Sequence, residues 1–82
     1  MIKAESKYLL VLEIDSVNIE ANYGLANLYS SKAVKYSKIL ELNKNKWSER
    51  KILREVAKGR EYLQKGRPYR NRYYRLSNEN HN

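Results

Sequence analysis

The 82-residue chain contains no cysteine, a single proline, a single histidine and only three glycines. Without cysteine, neither a disulfide nor a thiolate metal site can brace the fold, which suits a reducing compartment. The lone histidine, His81, sits at the C-terminal end, far from any nucleophile that it could activate. No catalytic residue, metal ligand or cofactor is therefore expected, and the chain is read as a non-enzyme. Gly24, Gly59 and Gly66 are isolated, so no glycine-rich phosphate loop exists; each reads as a packing or helix-end position. The longest aliphatic run, Leu9 to Leu12, is far too short to span a bilayer, and Glu5 stands where a signal peptide needs apolar residues. The expectation is a cytoplasmic protein with no membrane segment. A chain of this length buries only about 60% of its extended surface on folding, so its core must be small and a partner could supplement it.

What is abundant is positive charge, unevenly placed. Residues 1–45 carry six lysines against five acids, whereas residues 46–82 carry eleven Lys and Arg against four acids. Nearly all of the net charge of +8 thus falls in the second half. This asymmetry describes a nearly neutral folded part and a basic extension suited to an anionic surface.

Hydrophobic spacing predicts helices over residues 4–14, 19–30, 32–42 and 48–64. Asp15-Ser16-Val17-Asn18 breaks the first from the second, with Asn18 as an N-cap, because short polar side chains compete for backbone hydrogen bonds. Ala21, Leu25 and Leu28 share one face of the second helix. After the polar break at residues 43–46, Ser48 caps the last helix, and Glu49 complements its dipole. Trp47 is placed to anchor that helix on the core. Gly66 followed by Pro68 reads as its stop signal. The chain is thereby divided into a helical domain, residues 1–65, and a basic Arg/Tyr-rich tail, residues 66–82.

A recurrence underlies this organisation. Lys7-Tyr8-Leu9-Leu10-Val11-Leu12-Glu13-Ile14-Asp15 returns 28 positions later as Lys35-Tyr36-Ser37-Lys38-Ile39-Leu40-Glu41-Leu42-Asn43, with four identities. Leu25-Ala26 with Tyr29, then Ala33, Tyr36 and Leu40-Glu41-Leu42-Asn43, resemble the helix pair of a tetratricopeptide repeat. Ala4, Tyr8 and Leu12-Glu13-Ile14-Asp15 resemble the second helix of a preceding repeat. The resemblance covers residues 4–45. It implies a small all-α array of three or four helices: a helical hairpin and a C-terminal capping helix, followed by the basic tail. It also implies a protein-binding role.

The departures from that family are specific. A typical unit has about 34 residues, and the shortfall here lies mostly between Tyr29 and Ala33. Ser30-Ser31 is a weak breaker, and Ala26, Tyr29, Ala33, Tyr36 and Leu40 form an unbroken stripe that suits one continuous helix as well. The hairpin is preferred because the other stripe, Ala21, Leu25 and Leu28, continues into Lys32 and Lys35.

Two surfaces emerge as candidates. The first helix has apolar residues around most of its circumference. Leu9 and Leu10, with Tyr23 and Tyr29, are assigned to a contact with another protein or a second copy of this chain. The second surface is cationic: Arg50, Lys51, Arg54, Lys58 and Arg60 on the last helix, then Arg67, Tyr69, Arg70, Arg72, Tyr73, Tyr74 and Arg75. Guanidinium groups pair with phosphate and tyrosine rings stack on bases, so this set suits RNA or, alternatively, an acidic protein surface. The expected function is a non-catalytic interaction module whose basic arm docks on an anionic surface, with RNA binding as the alternative.

Overall fold

The structure, a computed structural model, describes residues 3–80, with the backbone alone for Asn80. It is all-helical: α1 (Ala4–Ile14), α2 (Ile19–Asn43) and α3 (Glu49–Asn80). His81 lies outside the described residues. The Asn18 side chain caps α2 by accepting from the Ala21 amide at 2.8 Å, and Ser48 Oγ accepts from the Lys51 amide at 3.2 Å at the start of α3. Both caps lie where short polar side chains were expected to satisfy free helix-end amides.

The proposed hairpin at residues 19–30 and 32–42 is instead one 25-residue helix. Its cause is visible in the two stripes. Ala26, Tyr29, Ala33 and Tyr36 face α3 along their whole length, as their register against Gly59 and Gly66 shows. The competing stripe is covered by α1 only along the first half of α2, where the Tyr8 ring lies against Gly24 and Leu25 is fully buried. Beyond α1 it faces solvent, so Lys35 is exposed and Lys32 lays its ammonium 5.3 Å from the centre of the Tyr62 ring. Those lysines need no break in the helix; the covering layer simply ends.

The last helix also passes its expected end, so residues 66–80 form part of α3 and not a separate tail. Gly66 is buried against α2 and Pro68 is exposed within the helix. An interior proline costs about 3 kcal/mol through its missing N–H and its ring clash. Here Pro68 and Gln64, the residue whose carbonyl loses its partner, are both exposed, while the continuation brings Tyr69, Tyr73 and Arg72 onto the N-terminal half of α2. Each aromatic pair contributes about 0.5–1.5 kcal/mol beyond the area it buries, so the packing beyond Pro68 offsets its cost.

Helices α2 and α3 run antiparallel in a close pairing set by small residues. A Cβ on Gly59 would lie 3.5 Å from Tyr36 Cβ, and one on Gly66 only 3.0 Å from Tyr29 Cβ and 3.9 Å from the Ala26 carbonyl oxygen. Small residues at Ala26, Ala33, Gly59 and Gly66 let the backbones approach, and tyrosines fill the space beside them. Tyr36, Tyr62, Tyr29 and Tyr69 form a ladder along the seam, with successive ring centres 5.6, 6.4 and 6.1 Å apart. The seven-residue spacing of Gly59, Gly66 and Tyr73, and of Tyr62, Tyr69 and Leu76, keeps this seam aligned through Pro68.

The first helix packs antiparallel to α2, with the Tyr8 ring flat on Gly24, where any Cβ would overlap it. A groove of about 420 Å³ separates its Leu9 and Leu12 side from Pro68, Tyr69 and Arg72 of α3. The Cα trace measures 49 × 33 × 16 Å, a slab whose core is confined to Ala21, Leu25, Ala26, Tyr29 and Ala33. So thin a body leaves both faces of the α2–α3 pair available to solvent except where α1 lies.

Candidate functional site

Two networks fix the geometry of α3 before any of its cations can act outward. Asn22 is fully buried and spends its amide on the backbone: its Nδ2 donates to the carbonyls of Asn18 at 2.8 Å and Ser16 at 3.2 Å. Its Oδ1 accepts from Arg72 Nη1 at 3.4 Å, and the same nitrogen donates to the Ser16 carbonyl at 3.2 Å. One side chain on each of two helices thus ties the α1–α2 turn to the far half of α3. Buried polar groups are tolerated when every partner is present.

The second network joins α1 to the seam. The Tyr29 hydroxyl donates to the Glu5 carboxylate, across 24 residues of sequence. Accepting that bond holds the Glu5 carboxyl below its ordinary value, although partial burial opposes the shift; the nearby charges of Lys32, Lys65 and Lys3 reinforce it. For Tyr29 the direction is opposite: burial foremost, then the bond to Glu5, pushes the phenol above its usual range. A depressed carboxylate stabilises the fold at pH values above its unfolded pKa and loses that contribution as pH falls through the folded value. Acidification below the ordinary carboxylate value of 4.5 is therefore expected to weaken α1 docking. Glu5→Gln should flatten that part of a stability profile followed by urea denaturation; an unchanged profile would mean that the bond carries no such weight.

The cations on α3 divide into rows two helical turns apart. Lys51, Lys58, Lys65 and Arg72 form one row, and each has a partner within the chain. Lys51 lies 4.7 Å from the centre of the Trp47 ring, Lys58 pairs with Glu55 at 3.3 Å and Lys65 is 5.8 Å from the Tyr29 ring centre. Arg72 belongs to the Asn22 network. Half-buried Trp47 thus sits at the entry to α3, as expected, with a lysine over its ring. Arg54 and Arg75 are exposed in a row that also holds Glu61, and Arg50 is exposed near the start of the helix.

A third group stands apart. Arg60, Arg67 and Tyr74 form one row, and Leu63, Arg70 and Ser77 the next; Glu49, at the start of α3, heads the second row, and neither carries an acid beyond it. Among the described residues, these three arginines make no salt bridge and no side-chain hydrogen bond. Arg60 borders Ala33 and Ser37 of α2, whereas Arg70 lines a cleft of about 110 Å³ with Tyr23, Asn27, Ser30, Tyr73 and Tyr74. Tyr23 and Tyr73 have ring centres 4.9 Å apart, and Tyr73 lies 5.8 Å from Tyr74. Tyr74 remains 58% exposed and Tyr23 48%.

The residues selected from sequence are therefore sorted by the fold. Leu9 and Leu10 are exposed on α1, while Tyr23 turns towards α3 and Tyr29 is only 4% exposed within the seam. The four do not form one surface. Tyr69 and Arg72 serve packing and the buried network, leaving Arg60, Arg67, Arg70, Tyr73 and Tyr74 together with Tyr23 on one face. Asn22 and Glu5 were missed; only the burial that tertiary packing creates reveals them. The described residues contain no cluster of His, Cys, Asp and Glu able to hold a metal, and no helix long and apolar enough to cross a membrane. Comparison with protein-family models, curated proteins and solved structures returns no match.

Proposed function

We propose that this chain is a non-catalytic docking module, of cytoplasmic setting, whose α3 seats on an anionic macromolecule while α1 and α2 hold that helix in place. The observation that carries this reading is the face bearing Arg60, Arg67 and Arg70, three arginines that form no salt bridge among the described residues, with Glu55 as the acid beside Arg60 already paired with Lys58. Arginine there has paid little desolvation and keeps its fork of donors free for an anion. Three phosphate-like contacts on a single strand imply a salt slope near about −2. On a heparin column the protein should be retained, and the Arg60→Gln, Arg67→Gln, Arg70→Gln triple variant should elute at clearly lower salt. Equal elution of the two proteins would contradict the assignment, since Arg60 and Arg67 are exposed, Arg70 is half-buried, and none of the three forms a salt bridge or side-chain hydrogen bond among the described residues.

A second reading rests on a different surface. Leu10 is 55% and Ile14 90% exposed, although both belong to the helix that resembles part of a tetratricopeptide repeat. A partner protein, or a second copy, covering α1 would bury them. That repeat reading has lost its expected hairpin to one continuous α2, so the cationic face is preferred here.

A further inference from the structure

The docking reading leaves the chemistry of the anion open, and the cleft beside the arginines narrows it. We infer that the face formed by Tyr23, Tyr73 and Tyr74 with Arg60, Arg67 and Arg70 binds a single-stranded polynucleotide, with an unpaired base stacked against the exposed Tyr74 ring. This inference rests on the reading of α3 as an anion-docking helix and adds the class of ligand.

Three observations converge on it. First, the cations are spaced along a rigid rod: Arg60, Arg67 and Tyr74 succeed one another every seven residues, about 10.5 Å apart on an α-helix. Such a row tracks an extended backbone and does not encircle a single ion. Second, the aromatic rings are held in place. Tyr73 is half-buried against Tyr23 with ring planes inclined at 47°, and Tyr74 leans on Tyr73 at 50°. The outer ring therefore presents a face to solvent without the entropy cost of ordering a loose tail. Third, the cleft wall between the rings is polar and uncharged. Asn27 and Ser30 offer both donors and acceptors to a base edge, and no carboxylate lines the cleft.

A duplex would use only part of this arrangement, because its bases are already stacked on each other and present no free π-face to Tyr74. An acidic polypeptide would use the arginines but not the rings. Stacking on an aromatic side chain is sequence-tolerant, so the site should accept any base, with the phosphates setting the salt dependence.

The test uses the intact chain and fluorescence anisotropy with labelled oligouridylate, an RNA hairpin duplex, poly-glutamate and inorganic polyphosphate. Wild type should prefer oligouridylate. Tyr74→Leu should weaken that binding about tenfold, Tyr74→Phe should restore it, and polyphosphate binding should be indifferent to either change. Circular dichroism on Tyr74→Leu confirms that an exposed residue was altered without loss of helix. If all polyanions bind alike and Tyr74→Leu has no effect, or if the duplex or poly-glutamate binds best, the stacking site is wrong while anion docking stands. If no polyanion binds at low salt, both readings are wrong.

Discussion

Gly66→Leu should lower the stability of this protein by about 3 kcal/mol, the upper range for overpacking a filled interface. Even a methyl at Gly66 meets Tyr29 Cβ at 3.0 Å and approaches the Ala26 carbonyl at 3.9 Å. A leucine cannot be housed without pushing α3 away from α2. That separation would also open the Tyr29 pairs with Tyr62 and Tyr69, which flank the same point. For a domain of this size the loss is a large part of the total. The neighbouring seam glycine supplies the contrast. At Gly59 an added Cβ lies 3.5 Å from Tyr36 Cβ, an ordinary contact, so Gly59→Ala should stabilise by up to about 1 kcal/mol through helix propensity alone. Urea denaturation of the two variants should give shifts of opposite sign; shifts of the same sign would mean that the seam is not the close contact described.

Asn22→Leu should cost about 2–3 kcal/mol, although leucine shares the branched heavy-atom skeleton of asparagine and is apolar. The position is fully buried, and its amide nitrogen serves two carbonyls while its oxygen receives Arg72. Leucine leaves the guanidinium without its buried acceptor and removes a donor from the Ser16 carbonyl, and unpaired polar groups are expensive when shielded from water. Because Arg72 shares this network, Arg72→Ala and Asn22→Leu should not add: the double variant should be more stable than the sum of the singles predicts. Additive losses would show that the two side chains act independently. Arg72 is in this respect unlike Arg67, whose removal should change salt-dependent binding and leave stability nearly untouched.

Much of the helical framework was legible along the chain. The bounds of α1, the cap at Asn18 and the cap at Ser48 follow from local side-chain chemistry, which packing did not overrule. The break expected at Ser30-Ser31 rested on Lys32 and Lys35 interrupting an apolar face. That inference assumed a covering layer along all of α2, whereas α1 reaches only its first half. The stop at Gly66 and Pro68 failed for a related reason: both are strong local signals, but Gly66 is the residue that close helix approach demands, and Pro68 sits on the solvent side. The 28-residue recurrence likewise marks two helix C-termini in different settings, one packed on α2 and the other extending past α1 beside the start of α3.

The candidate site shows the same division. Composition drew attention to arginine and tyrosine within residues 50–75. It could not separate Arg72 and Tyr69, which hold the fold, from Arg67 and Tyr74, which face outward. That distinction depends on which side of α3 meets α2, a property of the seven-residue register continuing through Pro68.

Arg60, Arg67 and Tyr74 share a face only if α3 is one helix in the free protein. Amide hydrogen exchange of the unliganded chain addresses this directly. Amides 69–76 should be protected to a degree similar to amides 56–63, since both segments pack on α2. Fast exchange beyond Gly66, with protection arising only when a polyanion is added, would contradict the account and return that segment to a flexible basic arm.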